Sequence, residues 1–246
     1  MEKDIDDSQG LDETGAMSIE GNSGDPMENS QTKNFSNATK IEASNEFQKL
    51  KEMLKIFDSS SQKTFEIYKI CETYSITRRV LYDFITILHA LNVVDRMSNE
   101  TFLWKGIKNQ YQFVENIKND PSLNSGCNFK QFSCDQDSHL SQVVVRLIRL
   151  FYYLGTEILD IRKVSKLFIK GEVKRRTMLR KLYTISSSLN VVGLIERTDQ
   201  PATIKICVSP LPLTSIEILL NNSHVRNEEI FVARRKAFEE CVKDEY

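Results

Sequence analysis

The chain repeats itself, and any fold proposed for it must be proposed twice. Residues 141–168 lie over residues 47–74 at a constant offset of 94 without a gap: Leu54 meets Ile148, Phe57 meets Phe151, Glu66 meets Asp160, Ile67 meets Ile161 and Ile70 meets Val164. The offset then rises to 101, where Arg79 meets Arg180, Leu81 meets Leu182, Tyr82 meets Tyr183, Leu88 meets Leu189 and Leu91 meets Val192. The seven added residues fall within IKGEVKRRTM and are expected to lengthen a loop between the second and third helices, where a repeat tolerates insertion. Self-similarity at fixed spacing through three amphipathic segments marks a duplicated unit.

Each unit reads as three helices and a hairpin. In EFQKLKEMLKIF, Phe47, Leu50, Leu54 and Phe57 recur at the spacing of one helix face. TFEIYKICETY gives a second helix with Phe65, Ile67, Ile70 and Tyr74. In the third, Leu81, Phe84, Ile85, Leu88 and Leu91 form an apolar stripe, and Arg78, Arg79, Asp83 and His89 fall largely off it. VVDRMSNETFLWKG then reads as two short strands around a polar turn at 98–100, with Trp104 anchoring the hairpin to the helices. This order is that of a winged helix, a helix-turn-helix variant whose last helix enters the major groove.

The expected fold class is mainly α with short β hairpins (α+β), built as two tandem winged-helix domains at 45–107 and 139–209. Residues 108–138, with Pro121, Gly126 and several Asn, read as a linker. Residues 1–44 are expected to form a disordered acidic tail, because they hold too few apolar side chains to offset the entropy of ordering. Residues 210–246 read as a partly helical tail. Its Ile230, Phe231, Val232 and Phe238 would make contacts, either with the domains or with a partner.

Charge is distributed unevenly. Residues 1–46 hold 11 Asp/Glu against 3 Lys, and the remainder holds 30 Lys/Arg against 23 Asp/Glu, so an overall net charge of −1 conceals a basic folded part. That balance favours a nucleic-acid partner. Cys71, Cys127, Cys134, Cys207 and Cys241 are odd in number and irregular in spacing, which argues against a disulfide framework. Cys127, Cys134 and His139 lie near one another without the paired C-x-x-C of structural zinc sites, so no metal is assigned. His89, His139 and His224 are isolated and receive no role. There is no phosphate-cradling Gly loop and no nucleophile elbow, so neither an enzyme nor a cofactor is expected. No apolar run is long enough for a bilayer, and MEKDIDDSQG lacks the features of a signal or transit peptide, so a soluble intracellular protein with no membrane partner is expected.

The chemistry concentrates at the start of the third helices. The first copy reads TRRVLYDF, with Arg78, Arg79, Tyr82 and Asp83. The second reads KRRTMLRKLYTI, with Lys174, Arg175, Arg176, Arg180, Lys181 and Tyr183. Arginine suits this place because its planar fork can pair with O6 and N7 of guanine. Tyr82 and Tyr183 can reach a phosphate or fill the helix interface, and a structural role with a minor contact is preferred.

RRVLYDFITILHALNVVDRMSNETFLWKG and LRKLYTISSSLNVVGLIER resemble the third helix and wing of the E2F/DP family of transcription factors. Two such units in one chain resemble the atypical branch, which supplies both DNA-reading halves without a separate DP subunit. The resemblance implies a nuclear, sequence-specific regulator that binds double-stranded DNA with a GC-core site and takes part in cell-cycle gene control. The branch leans towards repression. Two positions depart from the family pattern: Val80 stands in place of a second arginine, and Thr184 in place of an aspartate. A homodimer or an E2F/DP-type partner stays open. The alternative is a protein-interaction scaffold that reads no specific DNA.

Overall fold

The computed structural model describes residues 30–124, 126–134, 138–208 and 223–243, with the backbone alone at 30–44, 124 and 223–227. The first 29 residues of the expected acidic tail and the apolar stretch SIEILL lie outside the described residues. The protein is mainly helical with two small antiparallel sheets, an α+β chain. Met1–Thr39 is one unit, which contains the first turns of α1 (Ser30–Ser59). Helix is thus found at 30–44, where a disordered tail was expected. Once the apolar face from Phe47 to Phe57 nucleates a helix, extending it costs little per residue.

Lys40–Tyr246 is a single compact unit that holds both copies. The first copy continues from α1 through β1 (Thr64–Glu66), α2 (Ile67–Tyr74), α3 (Arg78–Ala90), β2 (Val94–Arg96) and β3 (Thr101–Trp104). The second runs α5 (Leu140–Leu154), β4 (Ile158–Asp160), α6 (Ile161–Phe168), α7 (Glu172–Val191), β5 (Ile195–Arg197) and β6 (Thr203–Ile206). The sheets have matching strand order, β1-β3-β2 and β4-β6-β5, all antiparallel.

The third strand of each sheet corrects the sequence reading. Thr64–Glu66 was assigned to the second helix but forms β1, with Phe65 opposite Phe102. Pairing with β3 satisfies backbone groups there, and Phe65 stacks on Phe57 at 4.0 Å between ring centroids. The first helical amides are held alike in the two copies: Ile67 N donates to Glu100 O and Ile161 N to Ala202 O, each at 2.8 Å.

Asp160 adds a side-chain cap, its carboxylate accepting from Arg162 N at 2.8 Å, where Glu66 makes none. Asp160→Ala is therefore expected to cost about 1 kcal/mol in urea unfolding, and Glu66→Ala less. Burial opposes the charge on Asp160, but hydrogen bonds from the Arg162 side chain and amide outweigh it and hold the pKa below its usual value. The cap's contribution is present above the ordinary carboxylate pKa and is lost as pH falls through the lowered one.

The seven-residue insertion is a second correction, because it lies in a helix rather than a loop. α7 starts at Glu172, whereas the counterpart of the first residue of α3 is Leu179. The added residues form two further turns, about 10 Å of helix. Gly171, at φ +89, turns the chain into the helix. Glu172 sits at the positive end of the helix dipole and pairs with Arg175 and Arg176 one turn on.

Residues 108–138 connect the copies but carry structure of their own. α4 (Asn109–Lys118) and 3₁₀ turns at Pro121–Asn124 and Phe129–Phe132 bury Val114, Ile117, Leu123 and Phe132 in one core shared with both copies. Gln110 is buried and donates to Val192 O at 3.0 Å, which ties α4 to the end of α7. The C-terminal helix α8 (Ser223–Lys243) packs on α5 and α6. Phe238 is buried as expected and Phe231 half-buried, whereas Ile230 and Val232 are exposed. The buried face follows the spacing of Arg234, Phe238 and Val242 instead. Among the described residues no helix is long and apolar enough to cross a membrane.

Candidate nucleic-acid interface

α3 packs against α5 and α7, so the two third helices lie side by side. Their apolar faces enter one shared core: Leu81, Phe84, Ile85 and Leu88 of α3 and Leu182, Ile185 and Leu189 of α7 are fully or almost fully buried. A cleft of about 350 Å³ opens between the helices. Arg79, Val80 and Asp83 of α3 line one side, Tyr183, Thr184, Ser187 and Ser188 of α7 the other, and Glu46 and Phe47 of α1 close it. Glu46 also accepts from Thr77 N at 3.2 Å, which caps the start of α3. Burial raises the pKa of Asp83, and the nearby Arg79 opposes the rise.

The charges of the first copy are partly spoken for. Arg78 forms an ion pair with Glu100 of the hairpin turn, and its Nη2 lies 3.3 Å from the Tyr82 hydroxyl. These contacts raise the Arg78 pKa, the Tyr82 bond most and the Glu100 charge next. The Tyr82 hydroxyl lies 2.9 Å from both Asn99 O and a Glu100 carboxylate oxygen. Tyr82 therefore ties the hairpin to α3. Arg79 is exposed.

The second copy is more open. Lys174 and Arg180 are exposed and make no hydrogen bond or ion pair among the described residues. Arg176 keeps 76% of its side chain exposed and stands 3.7 Å from Glu172, whereas Arg175 is mostly covered beside the same carboxylate. Lys181 is turned inward and donates to Ser138 O at 2.9 Å. Tyr183 stays 43% exposed. Of the ten residues singled out in the sequence, Arg79 and Arg180 occupy equivalent exposed positions on adjacent helices. Arg78, Tyr82, Arg175 and Lys181 are engaged within the protein.

Sequence reading missed a duplicated pair beside this surface. Arg96 Nη2 donates to Thr86 Oγ1 and Arg197 Nη2 to Ser187 Oγ, each at 2.6 Å. Both pairs obey the offset of 101, so carrying the alignment into the hairpins would have found them. It also missed Glu100, for which the second copy has no acidic counterpart. Cys134 is buried with its sulfur 3.2 Å from Arg146 Nη1, and Cys127 is exposed. Among the described residues, no group of three or more His, Cys, Asp or Glu side chains could hold a metal ion.

The chain is similar to Transcription factor E2F7 of Xenopus tropicalis. Identity is 20% over 187 residues, which cover 56% of this chain and 22% of the relative. The match thus spans about a fifth of the length of E2F7. No protein-family model matches the chain.

Proposed function

We propose that this protein binds double-stranded DNA as a transcription regulator of E2F/DP kind, with its two copies acting as tandem winged helices. The observation that carries the reading is the side-by-side placement of α3 and α7 with Arg79 and Arg180 exposed at equivalent positions. Both arginines would reach base edges, and Lys174 and Arg176 on the added turns of α7 would hold phosphates. One chain would then supply both halves of the reader and pay little to bring the second half to DNA once the first has docked. The likeness to Transcription factor E2F7 supports the same reading; a nuclear location and cell-cycle target genes are part of this proposal and rest on the family resemblance of the third helices and wings. The role is binding, without catalysis.

The test is the affinity of the full chain for a GC-core duplex and a scrambled duplex across a salt series. Preference for the GC core is expected, with log affinity falling against log salt at a slope of about −2 or steeper, since Lys174 and Arg176 alone offer two phosphate-neutralising charges at roughly 0.9 each. Equal binding to both duplexes would leave a basic docking surface without base readout. Absence of binding at low salt would put an interaction scaffold first, a reading favoured by the ion-paired Arg78 and by the exposed Met97 of the first hairpin turn and Val173 of α7.

A further inference from the structure

The two copies diverge at one point where the backbone is the same. The residue whose carbonyl receives the first amide of the second helix is Glu100 in the first copy and Ala202 in the second. The residue at the start of the third helix is Arg78 in the first copy, and its counterpart is Leu179. The first copy thus carries an arginine and a carboxylate aimed at each other, and the second carries neither.

Arg78 is held from several sides: ion-paired to Glu100, bonded to the Tyr82 hydroxyl and placed over the Tyr82 ring at 5.5 Å. Yet the pair is not interior. Arg78, the first residue of α3 and next in sequence to the exposed Arg79, keeps 60% of its side chain exposed and Glu100 45%. An exposed pair of this kind adds little stability. A carboxylate does, however, offer a guanidinium the oxygen pattern that a phosphate offers.

We infer that Glu100 is a built-in competitor for DNA phosphate that holds Arg78 and makes the first copy the weaker half of the interface. The inference rests on the DNA-binding reading above. For Arg78 to meet a phosphate, the ion pair with Glu100 must first open, and the cost of opening it is taken from DNA binding. The second copy has no such brake and adds two basic turns, so half-sites need not be read with equal strength.

The experiment measures binding of the full chain to the GC-core duplex at low and moderate salt, with thermal unfolding alongside. Glu100→Gln keeps a partner for Tyr82 and removes the charge. It is expected to tighten binding about tenfold at roughly 50 mM salt, and the gain should shrink about threefold by roughly 200 mM, the signature of one added phosphate contact. Arg78→Gln should change the wild-type affinity less than about twofold but abolish the gain in the Glu100→Gln background. Glu100→Ala, which copies the second unit's own Ala202, repeats the test if the glutamine variant fails to fold. Unchanged affinity in the Glu100 variants, or a gain that survives Arg78→Gln, would overturn the inference and leave DNA binding standing. A tenfold loss from Arg78→Gln alone would do the same, since Arg78 would already be engaged. A wild-type chain that binds neither duplex would end both readings together.

Discussion

Arg180→Glu is expected to weaken binding to a GC-core duplex by about two orders of magnitude while leaving the melting temperature unchanged. A hundredfold loss is about 2.8 kcal/mol, the sum of a lost guanidinium fork to a base, worth about 1–3 kcal/mol, and new repulsion from the phosphates. The side chain is exposed and makes no hydrogen bond or ion pair among the described residues, so the fold has nothing to lose. Lys181 is the wrong position for the same experiment. Its ammonium holds the Ser138 carbonyl, and reversing its charge would place a carboxylate against that oxygen. Anisotropy titration paired with circular-dichroism melting reads both quantities. A folded Arg180→Glu chain that binds like wild type would remove α7 from the interface, and with it the central claim of a two-helix reader.

What was legible in the sequence was whatever repeats or has a period. The apolar stripes of α1 and α3 lie where the spacing places them, and the hairpin turn falls at 97–100 between β2 and β3. The strands β1 and β4 were not legible, because three residues are too few for a period-two pattern and a helical pattern follows without a break. The insertion was read as a loop because a count of residues does not say what they become. EVKRRTM, which starts right after the N-cap Gly171, holds several good helix formers in Glu, Lys, Arg and Met, and that propensity outweighed the expectation. At the site, positive charge was visible but availability was not. Whether an arginine is free depends on a carboxylate more than 20 residues away, as Glu100 is for Arg78. In the connecting segment, Asn and Pro content suggested slack chain, yet Val114, Ile117 and Phe132 are spaced to enter a core that the second copy supplies.

The largest loss of stability is expected at Tyr153, where the second copy, the connecting segment and the C-terminal helix meet. Its ring is fully buried against Phe129 at 5.5 Å and Phe132 at 5.0 Å. Its hydroxyl donates to Gly126 O and accepts from Asn128 N at 2.8 Å, which closes the connecting segment over the end of α5. From the other side, Arg234 lies over the ring at 4.1 Å and donates to the Tyr153 carbonyl at 3.0 Å. Arg235 donates to Leu154 O and Gly155 O at 3.1 Å, so two guanidiniums of α8 cap the negative end of α5. Gly155 completes the joint: its left-handed φ of +56 ends the helix, and a Cβ there would stand 2.6 Å from the Phe231 ring. Tyr153→Ala removes the ring from this joint, and about 3–5 kcal/mol is expected in urea unfolding. Tyr153→Phe keeps the ring and loses only the hydroxyl bonds, so about 1–2 kcal/mol is expected. The two values separate packing from hydrogen bonding. In Tyr153→Ala, limited proteolysis should also cut α8 first, since its arginine cap loses the surface it lies on. Equal small losses in both variants would mean that α8 docks through Phe238 and Val242 alone, with the arginine cap contributing nothing.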